Sequence, residues 1–237
     1  MLSLGDSFSC GEGVGVRLDV SRTWTGVLAA GIGAELTVLA RPGATTCDVR
    51  TTQLPLALGV APAWATLLVG LNDVFKTRFD TDRMHADLAE LIGRLHSAHA
   101  GLLVARLHDP CELLPLSNRL KTIVGCKVAA VNAMIDSLAA PGIVVVDLSR
   151  LAALRRREAW AVDRLHPSPF GHTAIAAAAA RGLAAAGTWP AGDVASISCG
   201  APPTRLAECR WVVRHGVPWV ARRAPMLGNA FTAMLNQ

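Results

Sequence analysis

Five short apolar runs recur along the chain, at 2–4, 35–40, 65–70, 102–107 and 143–147, and stretches of helical periodicity separate them. The clearest is Ile-Val-Val-Val-Asp at 143–147, whose β-branched run reads as a strand covered on both faces. Among the intervening stretches, Met84, Leu88, Leu91, Ile92 and Leu95 fall on one helix face, with Asp82 as the expected N-cap and Gly101 as the stop. Leu120, Ile123, Val124, Val128, Val131, Ile135 and Leu138 mark a second helix, opened by Ser117 and closed before Pro141-Gly142. Ser168-Pro169 opens a third, running to about Gly187, with serine at the N-cap and proline at the first helical position. Strands that alternate with helices are joined by right-handed crossovers, which build a parallel sheet covered by helices on both faces. The expectation is therefore an α/β fold around five parallel strands. Ligands of such sheets bind beyond the carboxyl ends of the strands, which is where Ser7, Asn72, His108 and the 149–166 loop fall.

A chain of 237 residues, 51% of them hydrophobic and 17% charged, is long enough for one full domain core. Composition shifts after Gly187, where Pro190, Gly192, Gly200, Pro202 and Pro203 read as a loop. The expected division is a domain at 1–187 and a C-terminal extension at 188–237. In the extension, Thr204 caps a short helix running through His215, with Leu206, Cys209 and Val213 as a narrow apolar stripe. That stripe is expected to dock on the domain or on a partner subunit, making a homo-oligomer, because bare apolar area of this kind is unusual on a soluble monomer.

The net charge of +5 is spread along the chain and forms no basic arm, so no nucleic-acid partner is expected. The longest apolar stretch, 174–180, is too short to span a bilayer, so no stable membrane insertion is expected. No charged segment followed by an apolar one precedes Ser7, and the six cysteines lack CxxC pairs and scaffold density. Reduced thiols and a cytoplasmic location are the expectation. No HExxH or paired-ligand spacing occurs, so neither a metal nor a cofactor is expected.

The chemistry concentrates in four places. Gly-Asp-Ser-Phe at 5–8 sets Ser7 at the end of the first strand before a glycine-rich turn. Asp163 and His166, in Asp-Arg-Leu-His-Pro, are close enough for the carboxylate to reach the imidazole from one loop. A serine hydroxyl becomes nucleophilic when a base takes its proton, and that base works best when a carboxylate fixes its tautomer. Gly43 follows the second strand and Asn72, in Gly-Leu-Asn-Asp, follows the third. A glycine N–H and an asparagine amide there are natural donors to an oxyanion. Asp6 and Asp73 read as structural carboxylates, His172 as a packed or capping group, and His108 as a packing residue or a substrate contact. No GxSxG elbow and no complete GxGxxG occur, which sets aside the nucleophile-elbow hydrolases and the dinucleotide enzymes.

These blocks resemble the SGNH hydrolases of the GDSL type, whose four blocks carry Ser, Gly, Asn and His in that order. Ser7 matches the first block, Gly43 the second, Asn72 the third, and Asp163 with His166 the last, so the resemblance spans residues 1 to about 185. It departs only slightly, with Phe8 standing where leucine is commonest. It implies a three-layer α/β/α flavodoxin-like fold and hydrolysis of a small-molecule ester or thioester. It also implies oxyanion donors from the Ser7 and Gly43 N–H groups and the Asn72 side chain. Phe8, Leu71, Val74, Phe75 and Trp160 are expected to line an apolar acyl pocket. Acyl transfer and a non-catalytic module on the same fold stay open as alternatives.

Overall fold

A computed structural model describes residues 1–13, 16–60, 63–76, 78–114, 116–188 and 204–216. The strands are β1 (Leu2–Gly5), β2 (Thr37–Val38), β3 (Trp64–Leu68), β4 (Gly101–Arg106) and β5 (Ile143–Asp147), all parallel, in the order β2-β1-β3-β4-β5. The order reverses between β1 and β3, so the crevice for a ligand opens at their carboxyl ends. Outside this sheet, Glu12–Gly13 and Val16–Arg17 form a small antiparallel pair.

The helices are α1 (Ser7–Cys10), α2 (Trp24–Gly31), α3 (Thr46–Asp48), α4 (Leu71–Val74), α5 (Thr81–Ala98), α6 (Asn118–Ser137) and α7 (Pro169–Ala185). α3 runs on through a π-helical turn, Val49–Gln53, into the helical stretch Leu54–Leu58. α2 packs with α7 on one side of the sheet, and α5 with α6 and the 46–58 segment on the other, which gives three layers. The core between them contains Leu4, Leu67, Leu91, Leu102, Leu103, Val131 and Ala176, all essentially without exposed surface. Each such leucine or valine side chain adds about 1.5–3 kcal/mol on burial.

Ser117 and Ser168 cap α6 and α7 as expected, accepting from the Leu120 and Gly171 N–H groups. Three expectations are corrected. The cap of α5 is Asp80, which accepts from the Arg83 N–H, and not Asp82; the helix ends at Ala98 and Gly101 begins β4. β2 is only two residues long, because β1 pairs with it at Leu2 and Ser3 alone. β5 is an edge strand whose burial alternates, with Val144 and Val146 inside and Ile143 and Val145 half-covered, so it is not buried on both faces.

Of the C-terminal extension, residues 189–203 and 217–237 lie outside the described residues. A helix does follow Thr204: α8 (Arg205–Trp211) continues into a π-helical turn, Val212–Gly216, and the Thr204 hydroxyl accepts from the Ala207 N–H at 3.2 Å. Its apolar side chains Leu206, Val212 and Val213 are exposed.

Candidate active site

The expected nucleophile position is built by the end of β1. Gly5 has φ +136°, and a Cβ there would lie 2.0 Å from the Leu68 carbonyl oxygen, so only glycine lets β1 lie this close to β3. Asp6, buried, then caps the single turn of α1 by accepting from the Phe8 N–H at 3.0 Å. This sets Ser7 at the first position of the turn, half-buried.

His166 arrives from the other end of the chain on a tight hairpin. Trp160 and Pro167 form an antiparallel bridge, the Ala161 N–H donates to the His166 carbonyl at 2.8 Å, and the Ser168 N–H donates to the Ala159 carbonyl at 2.8 Å. The Arg157 guanidinium donates to the carbonyls of Trp160 and Ala161 at 2.9 and 3.0 Å and pins one arm. At the tip, Arg164 has φ +59°, which turns the chain so that Asp163 folds back on its own loop. Asp163 Oδ1 accepts from the N–H groups of Leu165 and His166 at 3.0 and 3.1 Å, and Oδ2 meets His166 Nδ1 at 2.5 Å. His166 Nε2 lies 3.0 Å from Ser7 Oγ, a contact between residues 159 positions apart. With Nδ1 carrying the proton toward Asp163, Nε2 is the lone pair available to the serine hydroxyl.

Three anion donors are expected beside this pair: the Ser7 and Gly43 N–H groups and the Asn72 side chain. Among the described residues, neither the Ser7 N–H nor the Gly43 N–H donates a hydrogen bond within the chain. Gly43 is exposed with φ +72°, a conformation that favours glycine and leaves the amide bare. The Asn72 amide nitrogen is engaged on both sides, donating to Asp6 Oδ2 at 3.2 Å and to the Ala44 carbonyl at 3.1 Å. The next residue, Asp73, accepts from the Thr46 N–H and hydroxyl, each at 3.0 Å. Burial pushes the Asp6 carboxyl up to about 7, against the opposing pull of the Phe8 N–H and of His166. Burial also raises Asp73, against the opposing Thr46 donors and Lys76.

The expected apolar pocket is corrected in part. Val74 and Trp160 are 0% exposed, and Phe8 and Leu71 only 4% and 6%, so they back the site and present almost nothing to a substrate. Trp160 is held by its own Nε1–H, which donates to the Leu154 carbonyl at 2.7 Å. Phe75, at 37%, is the one member of that set with an open face. His108 packs behind the site, its ring centroid 4.4 Å from Trp160 and 5.5 Å from Phe8, and burial pushes it down to about 3. His172 Nδ1 accepts the Trp24 N–H at 3.2 Å and so ties α7 to α2, away from any second-base role. The sequence reading missed the links Asp6–Asn72 and Asp73–Thr46; both carboxylates adjoin expected site residues, but their partners come from other strand ends. Among the described residues, no group of three or more His, Cys, Asp and Glu gathers as a metal site, and no helix is long and apolar enough to cross a membrane.

The family comparison agrees with this architecture. The GDSL-like lipase/acylhydrolase family matches residues 3–174, and the chain belongs to that family of ester-hydrolysing enzymes. No curated protein matches the chain. Among solved structures, it is similar to the acetylxylan esterase Axe2 from Geobacillus stearothermophilus, at 21% identity and TM-score 0.57 over 77% of this chain and 92% of that one. It is also similar to the esterase EstA from a Pseudoalteromonas species, at 16% identity and TM-score 0.58 over 78% and 96% of the two chains. A lipase from a goat rumen metagenome, Lip_vut3, shares 18% identity at TM-score 0.59 over 80% and 98%. At these identities the likeness establishes the α/β fold.

Proposed function

We propose that the chain is a serine hydrolase of carboxylic esters in which Ser7 is the nucleophile, His166 the base and Asp163 the group that orients it. The observation that carries this reading is the continuous hydrogen-bonded series from Asp163 through His166 to Ser7 Oγ. Ser7 Oγ attacks the ester carbonyl carbon while His166 Nε2 takes its proton, and the resulting oxyanion turns toward the Ser7 and Gly43 N–H groups and Asn72. Asp163 keeps the Nδ1 proton in place and stabilises the imidazolium. The imidazolium then returns its proton to the departing alcohol, leaving an acyl-serine, and a water activated by the same nitrogen releases the acid.

The N–H groups of Ser7 and Gly43 support the oxyanion assignment, since among the described residues neither is committed to an acceptor within the chain and both are available to donate. A small-molecule ester, with Phe75 against its apolar part, is the substrate class this reading favours. A fluorophosphonate probe tests it: wild type should label on Ser7 and hydrolyse p-nitrophenyl acetate, while Ser7→Ala should do neither and remain folded. Activity retained by Ser7→Ala would refute the assignment. A panel of acyl thioesters and acetylated sugars beside the simple esters would then decide which acyl donor is preferred.

A further inference from the structure

The three anion donors come from three different strand ends: Ser7 after β1, Gly43 after β2 and Asn72 after β3. Strand pairing does not fix the loops beyond it, yet donors to a developing charge must be held within about 0.5 Å of the productive geometry. Here side chains span the loops. Asp6 couples the Ser7 turn to the Asn72 amide, taking the Phe8 N–H on Oδ1 and the Asn72 Nδ2–H on Oδ2. Asn72 reaches Ala44, next to Gly43, and Asp73 takes both donors of Thr46 two residues further along.

We propose that Asp6 and Asp73 are positioning residues of the reaction, a two-carboxylate brace that keeps the three oxyanion donors in register. Asp6 does so by joining the Ser7 turn to the Asn72 side chain, and Asp73 by joining the Gly43 loop to the Asn72 turn. The inference rests on Ser7 being the nucleophile. Burial raises Asp6 to about 7, so above that pH its carboxylate is ionised and only accepts, and it and the Ala44 carbonyl then present oxygens to the same end of the Asn72 amide. A flipped amide would set its own oxygen against both, and the nitrogen is thereby kept toward the site. Both contacts are long for hydrogen bonds, at 3.2 and 3.1 Å, so the oxyanion can draw on the hydrogen held by Ala44 while Asp6 retains the other. The charge of Asp6 opposes the oxyanion but favours the imidazolium that forms with it. These effects counter one another, and hydrogen-bond geometry decides the outcome. Carboxylates are costly to bury and are kept where they are paired. Asp6, 2% exposed, has both oxygens engaged.

The test is a pair of double-mutant cycles, measuring kcat and KM for p-nitrophenyl acetate with thermal unfolding of each variant alongside. Asp6→Asn can keep the Phe8 cap but turns a donor toward Asn72; Thr46→Val removes one of the two donors to Asp73 from the far end. Each should lower kcat about tenfold or more with KM within about twofold, and should cost less than about threefold in an Asn72→Ala background. If both substitutions cost the same factor with and without Asn72, the brace is refuted and the carboxylates merely support the fold. Should Asp6→Asn fail to fold, Thr46→Val carries the decision by the same criterion. Fluorophosphonate labelling of wild type separates the two levels. An unlabelled wild type refutes the nucleophile and the brace together, whereas a labelled one with independent effects refutes the brace alone.

Discussion

The side-chain amide of Gln53 pairs with both backbone groups of Gly5: the Gly5 N–H donates to Oε1 and Nε2 donates to the Gly5 carbonyl, each at 2.9 Å. β2 accompanies β1 only at Leu2 and Ser3, so the amide takes the place of a missing strand residue at the point where β1 delivers Asp6 and Ser7. The Gly5 carbonyl has a second donor, the Arg41 N–H at 3.1 Å, while the N–H donates to Gln53. Asn132 treats Leu107 in the same way at the end of β4, with bonds of 2.7 and 2.9 Å.

Gln53→Leu should therefore strand a buried N–H, at about 1–3 kcal/mol, and also lower kcat, since the freed residue is two before the proposed nucleophile. Asn132→Leu should cost similar stability with a smaller fall in kcat, because the end of β4 carries no proposed triad residue. Denaturant unfolding and ester turnover on both variants check this. Equal losses of kcat would mean that Gln53 holds the fold and not the nucleophile.

Asp163→Asn should leave the hairpin in place, since an amide oxygen can still accept from the Leu165 and His166 N–H groups. Its anion is lost, however, and the amide nitrogen can turn the imidazole to the wrong tautomer. A fall in kcat of about 10³–10⁴ is expected, with KM little changed. If Asp163→Asn is nearly neutral while His166→Ala is inactive, the working unit is a dyad.

The strand–helix alternation and the four blocks were legible because each rests on local pattern. Ser168-Pro169 announces a helix start in any context, and Gly-Asp-Ser-Phe after an apolar run announces the end of a strand. What escaped the sequence depends on partners far away in the chain. Ile143 and Val145 look like core residues, yet nothing local says that β5 ends the sheet. Trp160 beside the histidine loop reads as a pocket wall, and only its bond to Leu154 reveals a core residue. Asp82 is the expected cap, and the fold selects Asp80, two residues earlier. The roles of Gln53 and Asn132 need the strand ends they close, which no spacing rule supplies.

Acid sensitivity follows from two buried histidines. Burial holds His108 and His172 neutral, both pushed down to about 3, whereas the unfolded chain takes up their protons near 6.5. Between these values the unfolded state binds more protons, so their contribution to stability is present above about pH 6.5 and is lost as pH falls toward 3. Asp6 acts in the opposite sense: raised to about 7 from 3.8, it favours the folded state at low pH and loses that advantage as pH rises through 7. His108→Phe keeps the ring against Trp160 and Phe8 and removes a buried Nε2 that has no hydrogen-bond partner among the described residues. The variant should match or exceed wild type in melting temperature at pH 7.5 and gain further on it at pH 4.5. An unchanged difference between the two pH values would mean that His108 is not held neutral by the fold.

The extension supplies the last prediction. None of Ser7, Gly43, Asn72, Asp163 or His166 hydrogen bonds to the described part of it, and α7, the last element of the three layers, ends at Ala185. Leu206 on α8 and Val213 in the π-helical turn after it stand 61% and 70% exposed, so in a single chain these two positions of the stripe are not buried against the domain. A second copy of the chain is the partner proposed for them, since burying large apolar side chains of this kind returns about 1.5–3 kcal/mol each. Truncation after Gly187 should leave kcat per folded molecule for short esters within about twofold, and should shift the protein toward monomer in light scattering. Leu206→Asp with Val213→Asp should reproduce that shift in the full chain without changing turnover. A truncated protein of unchanged mass state that handles long-chain esters very differently from the full chain would instead make the extension a cover over the crevice, because only a segment near the acyl group could alter chain-length preference while leaving assembly untouched.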